Sequence, residues 1–221
     1  MDNVQRLNAH AQDGNIEGLC AVIGVDPHVL EGIDKIPFVE TPLHVAASAG
    51  QVHFAIEIFS LKPSFGRKLN PNGLSPLHLA VPSGLAEPLT RAQQAETAIR
   101  LINIDRELIR VQGRGRMTPL HYAAERNKFD LLAEFLCACP LSIEDLTIRG
   151  ETALHVAVRN GSFTTSEVIL GWHRKIDERF NWTYIPYQFL LRETYKGVLR
   201  WKNEDGDTAL HIAASTNQPK V

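Results

Sequence analysis

The sequence predicts an all-α solenoid of stacked helix–turn–helix units joined by short hairpin fingers. Three observations carry this. Five nearly identical segments recur: TPLHVAASAG from Thr41, SPLHLAVPSG from Ser75, TPLHYAAERN from Thr118, TALHVAVRNG from Thr152 and TALHIAASTN from Thr208. Their starts lie 34, 43, 34 and 56 residues apart. A period near 33 residues marks a helical repeat array, and the longer intervals are one unit plus about 9 and about 22 extra residues. Between the motifs, apolar residues such as Leu132, Phe135 and Leu136 keep helical spacing.

Each element of the unit has a local cause. Thr41, Ser75, Thr118, Thr152 and Thr208 suit a helix amino end, where a hydroxyl accepts from an orphan backbone N–H. Pro42, Pro76 and Pro119 follow at the first helical position, where a missing N–H costs nothing. Leu43, Ala46 and Ala47 share one face, and the small residues let the next pair approach closely. Gly50, Gly84 and Gly161 fit a left-handed helix stop. A second helix follows, as at Val52–Phe59, Ala95–Ile102 and Phe129–Leu136. Asn72-Gly73, Arg149-Gly150 and Asp205-Gly206 then read as finger tips, with glycine supplying positive φ. Val39 and Arg116 stand where that glycine is expected in two other fingers, so Gly113 or Gly115 is expected to serve instead in the second of these.

A worn copy opens the chain. Leu7, Ala11 and Gly14 fall where Leu43, Ala47 and Gly50 fall in the next unit. Residues 1–221 therefore read as one domain of about six repeats, the first degenerate and the last truncated, with insertions near 81–93 and 173–200. Pro82 and Pro88 are expected to break any helix in the first insertion. The second crowds Phe180, Trp182, Tyr184, Tyr187, Phe189 and Tyr195 among basic residues. Both inserts are read as excursions carried over from unspliced sequence, with a functional loop as the competing reading. The final helix, 208–215, lacks a partner, so Leu210 and Ile212 are expected to stand open and the last unit to fray.

The hallmark T-P-L-H-x-A-A in five registered copies resembles the ankyrin repeat family. The segments LKPSFGRKLNPNGLSPLHLA, VQGRGRMTPLHYAAERNKFDLLAEFL and RWKNEDGDTALHIAAS are similar to a plant subfamily that carries several membrane-spanning helices after this domain. The resemblance implies fingers that project sideways, a role in defence signalling or development, and action through bound proteins.

Composition narrows the remaining classes. Of 221 residues 44% are hydrophobic and 22% charged, with a formal net charge of -2, which leaves no basic excess for nucleic acid or an acidic membrane surface. Three cysteines make no disulfide scaffold, so a reducing compartment is expected. No apolar run approaches a membrane span, and residues 1–15 lack the apolar core of a secretion signal. A cytoplasmic location is expected, or the cytoplasmic side of the plasma membrane if the full-length protein carries the subfamily's membrane helices.

Catalysis is not expected. The sequence holds no G-x-S-x-G, no H-E-x-x-H and no pair of C-x-x-C motifs. His44, His78, His121, His155 and His211 recur one repeat apart, which is wrong for converging on one metal. They are expected to hydrogen-bond between finger and helix, and no metal or cofactor is expected. Cys137-Ala138-Cys139 is a weak metal signal and reads as buried thiol, and Cys20 reads as core.

The expected function is protein binding by a monomer, with no nucleic acid partner and no membrane insertion. Exposed finger positions, Arg67, Lys68, Asn72, Arg114, Arg116, Arg149, Glu204 and Asp205, and the helix-surface residues Ser48, Tyr122, Arg126 and Arg159 are the candidate contacts. Aligned fingers would make a concave edge positive in the middle and negative at one end, which would steer an acidic segment. An unselective solvated surface is the competing reading of those charges. The alternative for the whole chain is the soluble part of a membrane-anchored plant immune signalling protein.

Overall fold

The structure, a computed structural model, describes residues 3–84, 87–170 and 197–216. The expectations placed on the aromatic-rich second insertion lie almost wholly outside the described residues. The described residues are helical with no β-strand. The fold is the all-α helical repeat that the motif spacing predicts. The chain divides into two compact units, Met1–Arg114 and Gly115–Val221.

The first unit runs α1 (Asn3–Asp13), α2 (Ile16–Val25), α3 (Val29–Asp34), α4 (Pro42–Ala49), α5 (Val52–Leu61), α6 (Pro76–Ala80) and α7 (Pro88–Ile104). Helix α4 packs between α1 and α6, and α5 lies between α2 and α7. Leu7, Leu43 and Leu77, one from each repeat, are fully buried, as are Phe54, Ile58 and Phe65. Burial of each such side chain contributes roughly 1.5–3 kcal/mol. The second unit holds α8 (Pro119–Glu125), α9 (Phe129–Ala138), α10 (Ala153–Arg159), α11 (Phe163–Ile169) and α12 (Ala209–Ser215). Here α10 packs on α8 and α12, and α11 packs on α9 and α10. Leu120, Leu132, Phe135, Ile143 and Leu154 form its core.

The repeated motif builds the same helix start five times. Thr41, Ser75, Thr118, Thr152 and Thr208 are all N-cap residues of capping boxes closed by the histidine three positions on. At the first, the Thr41 N–H donates to His44 Nδ1 at 3.2 Å, and the His44 N–H donates to Thr41 Oγ1 at 3.4 Å. The box is the usual reciprocal one, with an imidazole where Glu or Gln ordinarily sits. Thr41→Ala is expected to cost about 1–2 kcal/mol, the range of a lost N-cap. Urea unfolding of the variant against wild type measures it, and an unchanged midpoint would rule out the box as a stabilising element.

Several expectations need correction. Cys20 is exposed, because Leu19 and Val22 take the buried stripe of α2. Of the C-x-C pair, only Cys139 is buried. Gly50 and Gly161 are left-handed stops as expected, at φ 72° and 66°, and Gly14 plays that part in the worn repeat at φ 71°. Gly84 does not. Helix α6 has already ended, because Pro82 drives Val81 into extended backbone at φ -72°, ψ 116°. In the fourth repeat Asn127 supplies the stop, at φ 52°. Pro88 starts a helix instead of breaking one. It occupies the first turn of α7, which runs seven residues earlier than expected and draws residues of the insertion into the fold. At α12, Leu210 is 53% exposed as expected, but Ile212 is buried.

Each of the first four repeats also ends in a short helical turn that periodicity does not reveal: α3, then 3-10 turns at Pro63–Arg67, Arg106–Arg110 and Pro140–Glu144. Their residues Ile33, Phe65, Ile109 and Ile143 are buried; α3 packs on α1, and the three 3-10 turns pack on α5, α7 and α9.

Candidate protein-binding surface

The fingers are held by one recurring histidine clamp. Its geometry fixes the tautomer. Nδ1 receives a backbone N–H at its own cap, so it must carry the lone pair, and Nε2 must carry the proton. That Nε2–H donates to the carbonyl of the following finger: His44 to Leu74 at 3.0 Å, His121 to Glu151 at 3.2 Å, and His155 to Trp201 at 3.1 Å. The expected bond between finger and helix is thus present. Burial pushes the pKa of His44 and His121 down to about 4, against the opposing effect of those carbonyls. Burial also lowers that of His155.

The fingers themselves are closed turns. In the first unit the Asn70 N–H donates to the Leu74 carbonyl at 2.9 Å, and Asn70 Oδ1 accepts from the Asn72 and Leu74 N–H groups at 3.0 Å each. Gly73, Gly150 and Gly206 take positive φ at their tips, as the sequence predicts. In the fourth finger Gly115 supplies positive φ, and Arg116 follows it at φ 59°. Where the second finger lacks glycine, Phe38 takes the left-handed backbone, at φ 50°. Neighbouring fingers are stitched by backbone bonds: Arg114 N–H to Gly73 O at 2.8 Å in the first unit, and Ile148 N–H to Gly115 O and Glu204 N–H to Arg149 O in the second.

The candidate contact residues fare unequally. Arg67 and Lys68 are not finger residues. They close the Pro63 turn, where Arg67 pairs with Asp105 at 2.6 Å. Lys68 and Lys62 converge on Asp34 at 3.4 and 3.1 Å, and Lys68 is largely buried. Burial works against the Asp34 carboxylate, but the Ser64 hydroxyl and these two ammonium groups together hold its pKa low. The Ser48 hydroxyl is turned back onto Val45 O. In the second unit Arg149 and Asp205 pair at 3.3 Å from adjacent finger tips, and Arg159 pairs with Glu151. Arg126 lies 5.0 Å over the Tyr122 ring, a cation–π contact on half-buried side chains. Arg116 and Glu204 are exposed. The basic run is therefore largely neutralised by carboxylates of its own unit.

Asn72 and Arg114 are brought together in a way the sequence does not announce. They line one cleft of about 400 Å³ with Phe38, Leu69, Pro71, Gly73 and Gly113. Phe38 is 64% exposed there, and Ile36 beside it is 50% exposed. The available signal was positional. Three residues before each cap stand Phe38, Asn72, Gly115, Arg149 and Asp205, so an aromatic occupies a column otherwise polar or glycine. Ile148, 62% exposed, is a comparable apolar tip in the second unit.

Among the described residues no group of His, Cys, Asp and Glu gathers as a metal site, and no helix is long and apolar enough to cross a membrane. A family model described as ankyrin repeats, in three copies, matches residues 89–179. The ankyrin repeat-containing protein BDA1 of Arabidopsis thaliana is 45% identical over 64 residues, which are 29% of this chain and 15% of that protein's length. The chain thus spans a small part of this relative. Among solved structures, a chain from the complex of a predatory endopeptidase of Bdellovibrio bacteriovorus with an immunity protein superposes with TM-score 0.64. It is 23% identical, over 96% of this chain and 93% of the other, a likeness of fold alone.

Proposed function

Because this chain belongs to the ankyrin repeat family, an interaction module, we propose that it is a defence-related signalling adaptor that binds a protein partner through its fingers and first helices. The observation that carries the reading is the histidine clamp, which ties the fingers holding Asn72, Arg149 and Glu204 to the preceding helices, while Asn72, Arg114, Arg116 and Glu204 are exposed. Fixed display of side chains lowers the ordering cost of association. Tyr122 with Arg126, and Arg114 with Arg116, are the anchors proposed, since aromatic and arginine residues dominate interface energies. The chain works as a monomer, in the cytoplasm.

The defence assignment rests on the segments similar to the plant subfamily, and the likeness to the Arabidopsis protein supports the plant part of it. The second reading, a part of a membrane-anchored signalling protein, rests on the resemblance of those segments to the subfamily. Reading the transcript past codon 221 separates the two.

The test of binding is direct. Proteins retained from plant extract on the immobilised chain are identified, purified and titrated calorimetrically. Arg114→Glu with Arg116→Glu is expected to weaken the identified partner about tenfold or more. Unchanged affinity removes these arginines from the interface, and a failure of every candidate to bind the pure chain removes the adaptor reading.

A further inference from the structure

We infer that the cleft between Phe38 and Arg114 receives an extended peptide segment of a partner, one that carries an acidic side chain next to an apolar one. The inference rests on the protein-binding reading and narrows it to one place and one chemistry. It starts from an apparent waste. Phe38 holds a left-handed backbone at φ 50° and leaves 64% of its surface in water. A bulky residue in that conformation is strained, and such strain concentrates at ligand clamps. The other fingers solve the same turn with glycine at or beside this column, at Gly73, Gly115, Gly150 and Gly206. Folding alone gives no reason for an exposed phenylalanine here.

The cleft beside it has the features of a receptor. Leu69 and Pro71 give it an apolar wall. Gly73 and Gly113 leave its floor open, and their smallness is required. A Cβ on Gly113 would sit 2.7 Å from Gly73 O, and one on Gly73 would sit 3.1 Å from Arg114 Cβ. The two strands of chain approach closely enough for the Arg114 N–H to reach Gly73 O, which aims the Arg114 side chain from a fixed base.

Charge then selects the occupant. In the same unit Asp105 is paired with Arg67, and Asp34 with Lys62 and Lys68, while Glu40 accepts from the neutral amide Asn70 Nδ2. Among the described residues none pairs with Arg114, which is exposed at the cleft with the exposed amide of Asn72 beside it. A guanidinium fork matches a carboxylate in two parallel hydrogen bonds, and an aromatic ring next to it covers an apolar side chain.

A random peptide library displayed on phage, panned on the whole chain, tests this. Enriched peptides are expected to share an acidic residue within a few positions of an apolar one. A synthetic representative is then titrated by fluorescence polarisation. Arg114→Glu and Phe38→Gly are each expected to weaken it about tenfold or more. Arg6→Glu, the same charge change on exposed α1, is expected to leave it unchanged. Phe38→Gly also relieves the backbone, so its melting temperature is expected to rise while binding falls, which excludes misfolding as the cause. Enrichment without an acidic position, affinity that survives either cleft variant, or no enrichment overturns the cleft. Peptides that instead lose binding on Arg126→Glu overturn the cleft and leave the protein-binding reading standing.

Discussion

Lowering the pH from 7 to 4.5 is expected to strip several kcal/mol of stability from this fold, most of it through two buried histidines. His44 and His121 have folded pKa values near 4, against 6.5 for the free side chain. The unfolded chain therefore binds more protons than the folded one between those values. Stability is fully present above about pH 6.5 and falls as the pH drops toward 4. Each shift is worth roughly 3 kcal/mol, and a whole domain is stable by about 5–15 kcal/mol. The cause is chemical as well as dielectric. Protonating Nδ1 sets a donor against the cap N–H and breaks the capping box that starts the helix.

His155 adds to the effect in the same direction, and Glu134 opposes it. Burial and Asp130 raise the Glu134 pKa, so that group favours folding as the pH falls. It is one group against three. The melting temperature measured between pH 7.5 and 4.5 gives the slope. His44→Gln with His121→Gln keeps a capping-box side chain that does not titrate, and is expected to flatten the slope markedly. A double variant as acid-sensitive as wild type would show that the clamp is not the titrating element.

The same five histidines show what was legible in the sequence. Their spacing gave the period and their recurrence argued against a shared metal, while the capping boxes they close emerged only from the structure. The repeat register, the cap threonines and the glycine tips were readable because each depends on a residue type at a fixed offset. What escaped depends on partners distant in sequence. Cys20 lies in an apolar stretch, and only the packing of Leu19 and Val22 decides that it faces out. Phe65 and Ile143 occupy helical turns too short to show a period. Arg67 looks like a free finger cation until Asp105, thirty-eight positions on, is placed against it. The cleft is the clearest case. Phe38, Asn72 and Arg114 come from three different connections, and no local pattern puts them on one surface.

Gly50→Val is expected to destabilise the first unit by on the order of 3 kcal/mol, and the reason joins the helix stop to the first insertion. Gly50 caps α4 at φ 72°, a conformation that a β-branched residue adopts only under strain. Its N–H reaches the Ala46 and Ala47 carbonyls, so the helix end depends on that backbone. The space around it is also taken. A Cβ there would lie 2.7 Å from Gln93 Cβ and 3.0 Å from the Gln93 and Gln94 backbone, at the early turns of α7. Gln94 is 7% exposed and donates to Ser48 O at 2.6 Å, so α7 is tied down at the contact and has little room to retreat. Those early turns include residues 88–93 of the inserted stretch, which here pack as helix against the repeat before them. Gly24→Ala is the matched control. Gly24 lies in α2 with nothing within 4 Å of its would-be Cβ, so alanine there is expected to gain roughly 0.5–1 kcal/mol by helix propensity. Urea unfolding of both variants decides the matter. If Gly50→Val unfolds like wild type, then α7 yields easily, and the inserted turns are not seated on α4.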